Sequence, residues 1–209
     1  PEGSAVTLEL REAGAQALLV DSDQGDGFSA QDGDRVLLMS RDLLSSQPWD
    51  VTGTNLTYAG SSLRQWLNNE FTANAFTSEE NDAIIPVELD NSDQYEYGTP
   101  VGANTVDKVF LLSVREYDDY VKNSNYKTAC PTALAVSEGA YTNGQGNAAW
   151  WLRSPGMTAS SPAYLSSAGD LGTRAHEAME TIIGIRPAIW VKATFLDDKE
   201  GSAINSVGS

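Results

Sequence analysis

The chain has 209 residues, 41% of them hydrophobic, which is enough to bury a sizeable core. Its 13 basic and 29 acidic residues give a formal net charge of −16, which repels phosphate backbones and anionic lipid surfaces. The composition therefore excludes nucleic acid as an expected partner. Direct membrane insertion is also not expected, because no apolar run approaches the roughly 20 residues that span a bilayer. The opening residues, PEGSAVTLEL, show no secretory signal pattern.

Two strands are predicted early in the chain, at residues 17–20 and 35–40, and the acidic stretch DSDQGDGFSAQDGD lies between them. Its aspartates resemble a calcium loop, but Gly25 and Asp26 stand in the reverse of the EF-hand order. We interpret the stretch as a hairpin connection and predict no cofactor, with calcium as the open alternative. The weak metal-ligand candidates are Asp21, Asp23, Asp26 and Asp32.

Helices are predicted by two kinds of pattern. Apolar residues recur at near-helical spacing in residues 61–76, SSLRQWLNNEFTANAF, which indicates one amphipathic helix. Capping boxes, in which Ser or Thr precedes Glu by three residues, mark further helix starts at Thr77 and Ser113. The second start follows DKVFLLS, residues 107–113, which predicts a short apolar strand. All of these elements are expected to pack rather than to bind ligands.

Two strands rich in apolar residues bracket a polar segment in the last third of the chain. AAWWLRS and GIRPAIWVKA predict the strands, and residues 157–183 between them are mostly small or polar. We expect Trp150, Trp151 and Trp190 to be core residues. Arg153 and Arg186 are expected to bind loop carbonyls or buried acids. The arrangement indicates a scaffold that displays a loop surface, where recognition usually lies.

The order of these elements resembles a bacterial domain family found in Firmicutes. The resemblance rests on SSLRQWLNNEF, FTSEE, DKVFLLS, WWLRSPG, AYLSSAGDLG and GIRPAIWV, and it covers roughly residues 35–192. This family is similar to the C-type-lectin-like superfamily, including its formylglycine-generating-enzyme branch. The resemblance implies a loop-rich α+β fold of C-type-lectin-like type, with two helices on a small, mainly antiparallel twisted sheet. Because no repeat or long linker occurs, we expect one domain over residues 1–196 and a loose tail over 197–209.

Some members of that family are variable proteins of diversity-generating retroelements, in which one cassette is rewritten while the scaffold tolerates the changes. The resemblance places the cassette at residues 157–183 and implies a diversified surface that binds a protein or cell-surface ligand. It also implies a bacterial or phage-encoded protein that is secreted or displayed on the cell surface. The interval is not rich in Asn, so an undiversified relative that uses the same surface is the alternative. The implied ligand-binding positions are Thr158, Ser160, Ser161, Ser166, Asp170, Thr173, Arg174, His176 and Glu177.

Catalytic machinery is not indicated. Formylglycine-generating enzymes use two cysteines, whereas this chain has one, Cys130, which we expect to be small, buried and inert. A serine triad would need His176, a position that the resemblance marks as replaceable, and neither GxSxG nor a P-loop occurs. The sequence therefore predicts no catalytic residues and a non-enzymatic, protein-binding domain. The alternative is a calcium-independent, glycan-binding module of lectin type.

Overall fold

The structure is a computed structural model that describes residues 5–6, 17–23, 35–53, 57–92, 97–158, 160–174, 176–192 and 194–195. It contains two main sheets, one small hairpin and several short helices. The strands are β1 (Ala5–Val6), β2 (Ala17–Asp23), β3 (Arg35–Ser40), β4 (Ser45–Ser46), β5 (Ile84–Ile85), β6 (Val87–Leu89), β7 (Thr105–Asp107), β8 (Val109–Phe110), β9 (Trp150–Pro155), β10 (Pro162–Leu165), β11 (Leu171–Gly172), β12 (Gly184–Ile185) and β13 (Ala188–Lys192).

The larger sheet is centred on β13. Its order is β1-β2-β3-β13-β5, β8 also pairs with β13, and every pair is antiparallel. From Val36 to Ser40 every residue of β3 is buried, so this strand has an unbroken apolar run instead of an alternating pattern. β2 and β3 pair antiparallel, as the predicted hairpin requires. The residues that join them lie outside the described part of the chain.

The second sheet has the order β11-β10-β9-β12-β4, and two of its strands, β10 and β11, belong to the predicted recognition segment. Its β12–β9 pair is parallel and the other pairs are antiparallel. All six residues of β9, WWLRSP, are buried, which confirms the predicted strand and the core positions of Trp150 and Trp151. Trp190 is only partly buried, and the Arg35 guanidinium carbon lies over its ring, 4.2 Å from the ring centroid. The α+β class is confirmed, and the C-type-lectin-like topology stays a prediction.

Helices are shorter and more numerous than the two expected. The predicted helix over residues 61–76 is confirmed as a continuous helical stretch with a π-helical turn in its middle. Both capping boxes are present, at Thr77–Glu80 and at Ser113–Glu116. The helices are α1 (Ser62–Trp66), α2 (Thr72–Ala75), α3 (Ser78–Ala83), α4 (Val114–Glu116) and α5 (Ala133–Glu138), with π-helical turns at Leu67–Phe71 and Tyr117–Val121 and 3₁₀ turns at Tyr58–Gly60 and Asn125–Lys127.

Two buried arginines fasten the strands to their surroundings, as predicted. Arg186 donates to the carbonyls of Ser40 at 2.9 Å and Arg41 at 3.1 Å, and also to that of Tyr126. Arg153 binds the Leu111 carbonyl at 3.0 Å and forms an ion pair with Glu116. Both side chains are more than nine-tenths buried, so these bonds replace water that burial has removed. Their role in this structure is to hold neighbouring segments together.

The remaining predictions concern Cys130, the candidate metal ligands and the C-terminal tail. Cys130 is exposed, which contradicts its predicted burial. Asp21 and Asp23 belong to β2, whereas Asp26, Asp32 and the tail 197–209 lie outside the described residues. Within the described ranges, no group of His, Cys, Asp and Glu side chains is arranged to hold a metal ion. In the same ranges, no helix is both long enough and apolar enough to cross a membrane.

Candidate functional site

The predicted recognition segment, residues 157–183, is built on a buried hairpin. β10 runs antiparallel to β9, with Tyr164 opposite Trp151 and Leu165 opposite Trp150. All of β10 is buried, and the Tyr164 ring packs edge-on against Trp151 at 6.3 Å. The segment is therefore more ordered than its polar composition suggests. Its outer residues are displayed from a strand that belongs to the core.

One end of this hairpin brings six of the predicted positions together. The Met157 N–H donates to the Thr173 carbonyl at 2.8 Å, which joins the two sides of the segment. The Ala178 N–H donates to the Ser160 carbonyl at 2.9 Å and draws in the following loop. We call the resulting surface the recognition face, which consists of Thr158, Ser160, Thr173, Arg174, His176 and Glu177.

The other end of the hairpin holds two predicted positions, Ser166 and Asp170. They lie in the β10–β11 turn, where the Ser166 N–H donates to the Asp170 carbonyl at 2.8 Å and the Ser166 Oγ accepts from the Asp170 N–H at 3.2 Å. Along β10, four residues of extended strand separate this turn from the recognition face, a distance of about 13 Å, and along β11 Leu171 and Gly172 separate Asp170 from Thr173. Ser166 is thus a turn-forming residue, and Asp170 does not belong to the recognition face.

Ser161 is a correction to the predicted site. Its side chain is 2% exposed, so it cannot contact a ligand on the surface. Its carbonyl accepts the Gly156 N–H at 2.9 Å, and its own N–H donates to the Thr158 carbonyl at 3.1 Å. Ser161 closes the turn beneath the recognition face and has a structural role.

Glu180 positions the loop that carries His176 and Glu177. One carboxylate oxygen lies 2.7 Å from His176 Nδ1, and the other accepts the Glu177 N–H at 3.0 Å. The His176 ring also packs edge-on against Tyr164, with 4.5 Å between ring centroids. Sequence reasoning did not assign Glu180 to the site, although its spacing of four residues from His176 is a detectable signal.

Two charged side chains stand free on the recognition face. Arg174 and Glu177 are exposed, and neither side chain has a hydrogen-bond or ion-pair partner among the described residues. Met179, two residues after Glu177 in the same loop, is 57% exposed and adds apolar surface to that loop. The Tyr97 hydroxyl lies 3.3 Å from Thr173 Oγ1 and extends the face on its other side. Sequence reasoning missed Tyr97 as a neighbour of Thr173, because only a tertiary contact brings these two residues together.

Fold and site together define a small α+β domain that displays a polar, mixed-charge face from a buried strand scaffold. The chain belongs to the family described as Domain of unknown function (DUF6273), whose sequence profile matches residues 33–193. The match runs from just before β3 to just after β13, so it includes the whole second sheet, the recognition face and the larger sheet without β1 and β2. Neither a curated protein nor a solved structure matches the chain.

Proposed function

We propose that this chain is a non-enzymatic binding domain that recognises a protein ligand through the recognition face. The observation that carries the proposal is the contrast between a rigid base and free outer side chains. Buried β10 and the Glu180 contacts fix the backbone, while Arg174 and Glu177 have no partner among the described residues. Free charges on a fixed backbone bind with little loss of conformational entropy on the protein's side.

The chemistry of the face suits a protein surface. Hydroxyls of Thr158, Ser160 and Thr173 supply adaptable hydrogen bonds, as the Ser-rich loops of antibodies do. Arg174 is of the residue type enriched at interaction hot spots, and the exposed Met179 offers apolar contact area. Opposite charges at Arg174 and Glu177 favour a ligand with its own mixed charges over a uniformly charged one.

The same geometry gives no support to catalysis. Glu180 contacts His176 and could orient its imidazole, but a hydrolase also needs a nucleophile that is hydrogen-bonded to the other ring nitrogen. Across the described residues, no hydroxyl or thiol lies within hydrogen-bond distance of His176 Nε2. We therefore place His176 among the binding residues, where its edge contact with Tyr164 orients the ring.

We further propose a C-type-lectin-like domain of a bacterial or phage-encoded surface protein, in which residues 157–183 are the diversified cassette of a retroelement. Support comes from the presence of both buried and exposed residues within this segment. The framework residues Ala163, Tyr164 and Leu165 are buried, whereas Thr158, Arg174 and Glu177 are exposed and free to vary. A reverse-transcriptase gene beside this one, with a template repeat matching residues 148–188, would support the cassette; a genome without such a repeat would remove it.

The binding proposal is tested by a matched pair of variants. A partner is first captured by cross-linking at bacterial surfaces and purified, and its affinity is then measured by calorimetry. R174A/E177A should weaken binding at least tenfold, on the order of 1.4 kcal/mol, with an unchanged melting temperature. D170A removes an exposed charge at the far end of the hairpin and should bind normally. Equal losses in both variants would contradict the proposal. Calcium-independent binding to a glycan array would favour the lectin alternative.

A further inference from the structure

A groove on a different part of the molecule separates the helical stretch of residues 62–75 from α5. Its floor includes Ser45 of β4 and the preceding residue, Leu44. Its walls include Trp66, Phe71 and Leu134. The groove is open to solvent on one side and has a volume of about 200 Å³. Pockets for drug-sized ligands run from roughly 300 to 1,000 Å³, so this groove fits one small chemical group.

The charge of the groove has one sign. Glu70 and Glu138 line it from opposite walls, and no Lys, Arg or His is among the lining residues. Glu138 is held in place, because one of its oxygens accepts the Ser45 hydroxyl at 2.7 Å and the Ser46 N–H at 2.9 Å. Its second oxygen and the Glu70 carboxylate have no partner in the part of the chain that the structure describes. An anion would be repelled here, whereas a cation would relieve the repulsion between the two carboxylates.

The apolar part of the groove restricts the kind of cation that would fit. Trp66 is partly buried and lines the groove, where its indole ring offers a large apolar surface for contact. Leu134 on α5 is 40% exposed beside it, and Leu44 and Phe71 continue the apolar lining. A bare metal ion would leave this apolar surface uncovered. An occupant with an aliphatic stem and a positively charged head would match both parts.

We propose that this groove binds a primary alkylammonium group, with the stem against Trp66 and Leu134 and the head between Glu70 and Glu138. Two sources share this chemistry: a free aliphatic amine, and a lysine side chain presented by another molecule. This site is separate from the recognition face and does not depend on the function proposed for it. Contacts with exposed carboxylates are weak singly, so binding in the millimolar range is expected.

The test is a titration of the isotopically labelled 209-residue chain with n-pentylammonium chloride, followed by nuclear magnetic resonance at the Trp66 indole N–H, which W66F assigns. The signal should shift and saturate. E70Q and E138Q should each weaken binding about threefold, and the double variant should abolish saturation. Gln at position 138 keeps an oxygen that accepts from Ser45 and Ser46, so folding is expected to survive. Thermal melts verify this.

Two controls make the result decisive. E88Q removes the same charge from exposed strand β6, outside the groove, and should leave the affinity unchanged. The neutral isostere n-pentanol should bind at least threefold more weakly than the amine. Equal affinity for n-pentanol, or equal weakening by E88Q, would overturn the proposal. An acetyl-Gly-Lys-Gly-amide peptide distinguishes the sources: binding comparable to the amine indicates a lysine of another molecule, and binding of the amine alone indicates a small molecule.

Discussion

Glu116 performs two functions at once: it caps the helix that begins with α4 and neutralises the buried guanidinium of Arg153. One carboxylate oxygen accepts the Ser113 N–H at 2.7 Å and also binds Arg153 Nη1. The other accepts from Arg153 Nη2 at 3.1 Å. Through this residue a local helix-start signal is joined to β9, the strand that supports the recognition hairpin.

Removal of this carboxylate should be among the most destabilising single changes. E116A leaves the Arg153 charge buried without its partner, and breaking a buried ion pair typically lowers the free energy of unfolding by about 3–5 kcal/mol. The matched control is E80A, which opens the other capping box, at Thr77, but leaves no buried cation without a partner. E80A should lower the free energy of unfolding by about 1 kcal/mol. Chemical denaturation measures both. Similar losses would mean that the Arg153 pair contributes little.

Gly156 should tolerate no side chain. A Cβ there would lie 2.1 Å from the Ser161 carbonyl oxygen and 2.5 Å from that of Thr173, and both are backbone atoms that cannot rotate away. G156A should therefore lower the free energy of unfolding by at least about 2 kcal/mol. At Gly144 a Cβ would meet nothing within 4 Å, so G144A should be neutral or slightly stabilising. Thermal melts of the two variants decide the matter, and an unaffected G156A would show that this turn can open.

Local signals predicted much of this fold. Both capping boxes and the WWLRSP strand need only neighbouring residues to be recognised, and the structure contains them. The structural roles of Arg153 and Arg186 were predictable because a long cation beside buried strands must find acceptors. The parallel β12–β9 pair was not predictable, because its contacts join distant parts of the chain.

Which residues of the segment 157–183 are exposed was predictable only in part. Ser161 and Thr158 are equally polar in sequence, yet the Gly156–Ser161 hydrogen bond buries one and leaves the other exposed. Asp170 lies in the same segment as Arg174, but Leu171 and Gly172 of strand β11 stand between the turn that holds Asp170 and the recognition face that holds Arg174. Cys130 was expected to be buried from its residue type alone, and its actual exposure depends on how distant segments pack. Burial of short polar segments is decided by tertiary contacts, which residue type does not reveal.

Alkaline pH should destabilise the protein through its buried tyrosines. Burial raises the pKa of Tyr58, and burial also raises the pKa values of Tyr117 and Tyr164. An unfolded chain ionises its tyrosines near pH 10, before the folded state does. The stability that these groups contribute is therefore complete below about pH 10 and is lost as the pH rises above it.

Melting temperatures across this range test the effect. Y58F should reduce the alkaline fall in melting temperature, since the ionisable group with the most strongly raised pKa is gone. Tyr141 is 72% exposed, so Y141F should leave the pH profile as it is. Identical profiles for the two variants would show that Tyr58 does not govern alkaline stability.

Glu180 should control the order of the recognition face with little effect on the whole fold. Its carboxylate accepts the Glu177 N–H at 3.0 Å and contacts His176, and it lies near the surface. In E180A the Glu177 amide should exchange its hydrogen about tenfold faster, as expected when one hydrogen bond is lost, while global stability changes by less than about 1 kcal/mol. E177A removes an exposed carboxylate from the same loop and should leave exchange unaltered. Hydrogen exchange followed by nuclear magnetic resonance distinguishes the two, and equal protection in E180A and the unaltered protein would show that the loop is held by other contacts. Faster exchange in E180A, together with weaker binding of the partner, would tie recognition to a preorganised loop.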